Sequence, residues 1–164
     1  PWEMKWMSKE SIFRVPFLGW MMRMAGDVAV KRSSVKSRAD AYAKTREWID
    51  RGSSVMIFPE GTRSRTGEML PFRSGAFRLA VETGRPVHPI AVSGTRDAIR
   101  KGSMFFGRAD VVVRILEPIP ASEISDGEGP DEVKRIRDIA REAIEAARSA
   151  RSQDLAQPLD RNRL

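Results

Sequence analysis

Hydrophobic positions along the chain fall into two alternating patterns, short continuous apolar runs and longer stretches with helical spacing. The short runs predict strands at 4–8, 28–30, 55–58, 87–92 and 111–116. Apolar residues three and four apart predict helices at 16–25, 37–51, 74–83 and from Asp131 onward. Strand–helix alternation with short connections predicts an α/β fold, with a central, mainly parallel sheet flanked by helices.

Residues at the ends of these elements, and the apolar content within them, allow further predictions. Ser37 is predicted to cap the second helix, and Gly52 suits the left-handed position just beyond its end. The run at 55–58 predicts a strand buried on both faces, and the segment at 16–25 predicts a largely buried helix. We expect one domain over residues 1–151 and a disordered tail over 152–164, where the sequence is polar and aperiodic.

Composition narrows the function classes. The 164 residues include no cysteine, which excludes a disulfide framework, a thiolate zinc site and a cysteine nucleophile. Lys and Arg number 29 against 22 Asp and Glu, a net charge of +7, and residues 1–82 carry 15 of the basic and 9 of the acidic side chains. An anionic partner is therefore expected at the first half, and phosphate ligands, nucleic acid and anionic lipid headgroups all fit.

The sequence predicts no membrane-spanning helix, because its longest apolar run, residues 15–22, is far shorter than the roughly 20 residues that a bilayer requires. The opening residues show no leader pattern and no initial Met, so we expect the natural start to lie upstream of Pro1.

A polar cluster follows the most apolar predicted strand. Ligands of open α/β sheets bind just beyond the carboxyl ends of strands, which is where Glu60 to Arg65 falls. Gly61 permits close backbone approach, Thr62 offers a hydroxyl, and Arg63 presents a planar donor fork suited to phosphate. On physical grounds alone, a solvated turn with one ion pair fits the cluster equally well.

The same residues carry a family resemblance. Phe58-Pro59-Glu60-Gly61-Thr62-Arg63-Ser64 resembles the third sequence block of the glycerolipid acyltransferases, the family of 1-acyl-glycerol-3-phosphate acyltransferase. Three further segments resemble family blocks in the family's order: the lysine-bearing segment 9–20, residues 26–32 ending in Arg32, and residues 87–94. Two positions depart from the pattern, since Lys31 stands where an acidic residue is commoner and His88 where an apolar one is usual.

One family block has no counterpart in this sequence. The family's first block pairs a histidine with an aspartate across four intervening residues. The sole histidine here is His88, and Ser93 stands five positions later, so the pair is not formed. We therefore expect the catalytic pair to lie upstream of Pro1, and we expect this fragment to be inactive by itself.

The resemblance implies acyl transfer from acyl-CoA or acyl-ACP to the free hydroxyl of 1-acyl-glycerol-3-phosphate, giving phosphatidic acid. Lys9, Arg32 and Arg63 would hold the acceptor's phosphate, while Glu60 and Gly61 would shape the acceptor pocket. The implied substrate-binding residues are Lys9, Arg32, Glu60, Gly61, Thr62 and Arg63. No metal or redox cofactor is implied.

Without the resemblance, several of these residues have simpler interpretations. Lys9 and Arg32 would be solvated side chains at strand ends, and His88 would be a packed or backbone-bonded histidine. The aromatic, methionine and arginine residues at 12–24 suit a lipid surface, or else an ordinary buried helix.

Partners and location follow from the same expectations. The expected partners are a lysophospholipid, an acyl thioester donor, possibly presented by acyl carrier protein, and the membrane surface, with a peripheral location on the cytoplasmic face. Two alternatives remain, a non-catalytic lipid-binding protein and a basic nucleic-acid-binding module. The second lacks support, because the chain has one tyrosine and none of the familiar nucleic-acid-binding signatures, so no nucleic acid is expected as a partner.

Overall fold

The structure is a computed structural model that describes residues 3–98, 107–124 and 129–154. The strands in these ranges are β1 Met4–Lys9, β2 Val28–Val30, β3 Ser54–Met56, β4 Ile90–Ser93 and β5 Val112–Ile115. A 3-10 helix spans Glu10–Arg14. The α-helices are α1 Leu18–Met24, α2 Val35–Asp50, α3 Gly75–Thr83, α4 Thr95–Ala98, α5 Ala121–Ile124 and α6 Pro130–Asp154. No helix in these ranges is long and apolar enough to span a bilayer.

The chain divides into two compact units, Pro1–Gly61 and Thr62–Leu164. The first unit contains a three-stranded sheet in the order β2-β1-β3, in which both pairings are parallel. The second contains an antiparallel pair formed by β4 and β5. The α/β fold is therefore confirmed, with the parallel sheet built from the first three predicted strands.

The core of the first unit lies between the sheet and α2. Val28 and Val30 of β2 pack with Ala41 of α2, and Met7 and Trp48 close the cluster. Alternate residues of a strand share one face, so the two valines point to the helix together. This packing joins β2, which pairs with β1, to α2.

A buried lysine ties the start of β1 to the rest of this unit. The Nζ of Lys5 donates to Glu3 Oε1 and to the carbonyl of Ala25, each at 2.6 Å, and lies 4.2 Å from the Trp48 ring centroid. The hydrogen bond from Lys5 lowers the pKa of the Glu3 carboxyl. Gly26 adopts a φ of +78°, and a Cβ there would lie 2.7 Å from the Trp48 ring, so this turn requires glycine.

The core of the second unit is formed mainly by α3 and α6. Phe72 and Phe77 stack with ring centroids 6.2 Å apart. Fully buried Ile124 and Ile136 fill the centre of the cluster. The apolar face predicted for the last helix is confirmed where Val133, Ile136 and Ala140 are buried.

Several expectations about individual elements were wrong. Within the sheet of the described residues, β3 stands at one edge and ends at Met56; its three residues are exposed or half-buried, not buried on both faces, and Phe58 beyond it is 58% exposed. Helix α1 is largely exposed, with only Gly19 buried. Ser34, rather than Ser37, caps α2, because its side chain accepts from the backbone N–H of Ser37.

The remaining differences concern strand and helix ends. The strand predicted at 87–92 begins at Ile90, and Val87 forms only an isolated bridge to Ile119. Prolines at 86 and 89 have no N–H to donate to a ladder, which explains the interruption. Helix α6 continues to Asp154, three residues into the segment predicted as a disordered tail, and residues 155–164 lie outside the described residues.

Candidate functional site

The carboxyl ends of β1, β2 and β3 share one edge of the parallel sheet. Lys9 is the last residue of β1 and stands in register with Val30, the last residue of β2. Arg32 follows Val30 by two residues. The structure therefore places side by side two residues that lie 23 positions apart in the sequence and that were both predicted to hold a phosphate.

These residues line an open cleft of about 410 Å³. Its walls contain four basic side chains, one carboxylate and two hydroxyls, from Lys9, Glu10, Ser11, Arg14, Lys31, Arg32 and Ser33. Both Lys9 and Arg32 are exposed, so a ligand can reach them from solvent. A surplus of cations with hydroxyl donors beside them is suited to a phosphate group.

The turn that carries Arg32 is fixed by the start of α2. The Lys31 N–H donates to Ser37 Oγ at 3.0 Å, and Arg38 Nη1 donates to the Arg32 carbonyl at 2.6 Å. Ser34 caps the helix, and its own N–H donates to the Lys31 carbonyl at 3.0 Å. These bonds hold the backbone of the turn, so the Arg32 side chain starts from a defined position on the cleft wall.

The sequence did not predict that Arg14 lines this cleft. Arg14 ends the 3-10 helix that follows β1 directly, and its Nη2 lies 3.4 Å from Glu10 Oε1. The acidic and basic residues four apart could have indicated a helical turn. Nothing in the spacing showed that this turn folds back toward Arg32. Lys31, noted in the sequence only as a departure from the family pattern, also lines the cleft.

Glu60 and Gly61 lie in a tight turn that follows β3. The Gly61 N–H donates to the Phe58 carbonyl at 3.0 Å, with Pro59 at the second position of the turn, where proline is favoured. Gly61 has a φ of +68°, a conformation that strains any residue with a side chain. Glu60 is half-buried in this turn. The conformation of the turn therefore explains why glycine stands at this position of the sequence block.

Thr62 and Arg63 open the second unit, where both are exposed. The loop that they begin is held within that unit. The Gly67 N–H donates to Ser64 Oγ at 3.0 Å, and Arg148 of α6 donates to the Gly67 carbonyl at 2.8 Å. The roles assigned to Thr62 and Arg63 remain predictions from the sequence block.

His88 is exposed, between the Val87 bridge and the start of β4. The expectation that it packs is therefore wrong, and the alternative, a backbone hydrogen bond, stays a prediction. Its position in the second unit adds no evidence for a catalytic pair, because Ser93, at the end of β4, is the residue five positions later.

Comparisons with known proteins agree with the predicted resemblance. The acyltransferase family profile matches residues 1–93. The chain is 42% identical over 120 residues to the chloroplastic 1-acyl-sn-glycerol-3-phosphate acyltransferase BAT2 of Brassica napus, a match covering 73% of this chain and 35% of that protein. It is 36% identical over 134 residues to the 1-acyl-sn-glycerol-3-phosphate acyltransferase of Saccharomyces cerevisiae, covering 80% and 44%.

A solved structure shows the same fold. The 1-acyl-sn-glycerophosphate acyltransferase PlsC from Thermotoga maritima superposes with a TM-score of 0.73 at 27% identity, covering 91% of this chain and 57% of that one. The chain thus spans about a third to a half of the length of the curated relatives named above.

Proposed function

Because the chain belongs to the acyltransferase family, we propose that it binds the phosphate of a 1-acyl-glycerol-3-phosphate acceptor in an enzyme that acylates the acceptor's free hydroxyl. The product would be phosphatidic acid. The observation that carries this proposal is the basic cleft at the carboxyl edge of the parallel sheet, which Lys9 and Arg32 both line. The names of the relatives support this choice of acceptor.

The cleft acts by positioning. A phosphate monoester carries up to two negative charges, and the four cations of the cleft outnumber its one carboxylate. Holding the phosphate at Lys9 and Arg32 restricts where the acceptor's free hydroxyl can lie relative to the acyl donor, which lowers the entropy cost of the transfer. The sequence block alone supports a phosphate contact for Arg63 and acceptor contacts for Glu60, Gly61 and Thr62.

The transfer itself exchanges one acyl bond for another. The acceptor oxygen attacks the thioester carbonyl, the carbon–sulfur bond breaks, and the thiol of coenzyme A or acyl carrier protein leaves. A general base takes the hydroxyl proton, and the departing thiolate is protonated. No oxidation state changes, so the step needs no redox cofactor. We place the base, a histidine paired with an aspartate, outside these 164 residues, whose sole histidine is His88.

A binding experiment tests the acceptor site. Titration of the 164-residue chain with a short-chain lysophosphatidate, below its micellar concentration, should show binding without turnover of acyl-CoA. Lys9→Ala and Arg32→Ala should each weaken binding about 5- to 30-fold, which corresponds to about 1–2 kcal/mol for a charge-assisted bond discounted for exposure. Lys36→Ala removes an exposed lysine of α2 that is not among the cleft-lining residues, and it should leave the affinity unchanged.

A matched ligand separates phosphate recognition from apolar binding. The corresponding monoacylglycerol lacks the phosphate, so its weaker binding should not respond to either substitution. Equal losses for both ligands would contradict the phosphate role. Acceptor-dependent thioester cleavage by the 164-residue chain would contradict the placement of the base.

A further inference from the structure

The segment between the 3-10 helix and β2 shows its apolar side chains to solvent. We call the exposed side chains of Val15, Phe17, Leu18, Trp20, Met21 and Met24 the α1 surface. Phe17 is 73% exposed, Trp20 59% and Met24 85%. A helix of a water-soluble domain normally turns such residues inward, and contiguous exposed apolar side chains indicate an interaction site.

The α1 surface is held in place by the packing of α1 on the 3-10 helix. Phe13 is 5% exposed and anchors the 3-10 helix, and Gly19 approaches so closely that a Cβ would lie 2.1 Å from the Phe13 carbonyl oxygen. Phe17 adopts a φ of +61°, unusual for a bulky residue, and its ring packs edge-on against Trp20 at 5.4 Å. The outward direction of these side chains is thus set by the backbone, and strained geometry of this kind concentrates at functional sites.

Charge identifies the class of partner. Arg14 precedes the α1 surface and Arg23 lies within its helix, whereas residues 11–26 include no acidic side chain. Trp and Arg beside large apolar residues favour the boundary between headgroups and acyl chains of an anionic membrane. Glu10, just before this segment, pairs with Arg14, so Arg23 is the cation that the α1 helix itself adds beside its apolar side chains.

The α1 surface also adjoins the candidate site. Arg14 lines both the cleft that contains Lys9 and Arg32 and a second cleft of about 360 Å³, which Arg23 also lines. The 3-10 helix and α1 pack directly on each other. A lipid held by its phosphate in the first cleft would therefore lie close to a surface suited to the bilayer from which it comes.

We propose that the α1 surface docks on an anionic phospholipid bilayer, with Phe17, Trp20 and Met24 inserted at the headgroup boundary and Arg23 facing the lipid phosphates. The docking itself does not depend on the reaction. A role of docking in presenting the acceptor to Lys9 and Arg32 rests on the proposed function.

Vesicle sedimentation tests the docking in the absence of lysophosphatidate. Combined substitution of Phe17, Trp20 and Met24 by serine should lower partitioning of the chain onto phosphatidylcholine–phosphatidylglycerol vesicles at least about 50-fold, as expected for partial burial of three large apolar side chains. Val35→Ser is the matched control, because Val35 on α2 is also 73% exposed, and it should stay within about twofold of the unsubstituted chain. Arg23→Gln should cost about fivefold on these vesicles and nothing on pure phosphatidylcholine.

A spectroscopic measurement locates the contact without relying on a loss of binding. Phospholipid brominated near the top of its acyl chains should quench the tryptophan fluorescence of the bound chain, and Trp20→Phe should remove most of that quenching. Unchanged quenching in Trp20→Phe, or unchanged partitioning of the triple variant, would overturn the proposal. So would vesicle-independent self-association that the triple variant abolishes, because the surface would then bind a second copy. Lysophosphatidate affinity is measured separately, so either proposal can fail alone.

Discussion

Two helical glycines should respond to the same substitution with opposite signs. Gly19, in α1, faces the backbone of the 3-10 helix, and a Cβ built there would lie 2.1 Å from the Phe13 carbonyl oxygen and 2.5 Å from its carbon. Gly75, at the start of α3, has no heavy atom of the described residues within 4 Å of the same position. Neither glycine has a positive φ, so alanine meets no backbone strain at either site.

The expected magnitudes follow from these distances. At Gly19, the contact must open from 2.1 Å to at least 3.4 Å, and the obstacle is backbone, which cannot rotate away. Overpacking of this kind costs about 1–3 kcal/mol, and more when backbone must shift. Alanine recovers about 0.5–1 kcal/mol of helix propensity. We expect Gly19→Ala to destabilise by about 2 kcal/mol and Gly75→Ala to stabilise by about 0.5 kcal/mol.

Urea denaturation followed by circular dichroism measures both variants. The free energy of unfolding should fall for Gly19→Ala and rise for Gly75→Ala, with the slope against urea unchanged for Gly75→Ala. A lower slope for Gly19→Ala would indicate that the 3-10 helix and α1 have already come apart in the native state. If Gly19→Ala were as stable as Gly75→Ala, the close packing of these two helices would be refuted.

Two further predictions concern a turn and a helix start. Gly26→Ala and Gly52→Ala both place alanine at a positive φ, which costs about 1–2 kcal/mol. Of the two sites, Gly26 has an obstacle, because the added Cβ would lie 2.7 Å from the Trp48 ring. Gly26→Ala should therefore lower the free energy of unfolding in urea by about 1–3 kcal/mol more than Gly52→Ala. Glu132, in the first turn of α6, accepts a hydrogen bond from Arg135, which lowers the pKa of the Glu132 carboxyl. Ionised Glu132 therefore stabilises the fold at pH values above its pKa in the unfolded chain. That stabilisation is lost as the pH falls through the lower pKa of the folded state. Glu132→Gln should therefore be less stable than the unsubstituted chain at neutral pH and equal to it in strong acid, and a pH-independent difference in thermal denaturation would contradict this assignment.

The sequence was a good guide wherever structure is decided locally. Gly52 and Gly84 do follow their helices with positive φ, because few other residues accept that conformation. The parallel sheet was predictable from strand–helix alternation, whereas Lys9 and Arg32 were assigned to one site only through the family resemblance.

Burial was predicted less well, because it depends on what lies against an element. The apolar run at 55–58 looked like a central strand, yet β3 is at the sheet edge and leaves Phe58 exposed. The apolar residues at 16–25 likewise predicted a buried helix, yet only Gly19 of α1 is buried. Ser34 and Ser37 both offer a hydroxyl near the start of α2; Ser34 caps the helix, while the Ser37 hydroxyl accepts from the Lys31 N–H.

The short segment around α1 links the two proposals, and this link gives the sharpest test of the structure. Arg14 lines the basic cleft that contains Lys9 and Arg32, and α1, which presents the apolar surface, packs on the same 3-10 helix through Gly19. If that packing sets both features, Gly19→Ala should weaken lysophosphatidate binding and vesicle binding together, although it removes neither a charge nor an exposed apolar group. Gly75→Ala should change neither. Loss of only one of the two binding activities would mean that the cleft and the α1 surface are positioned independently.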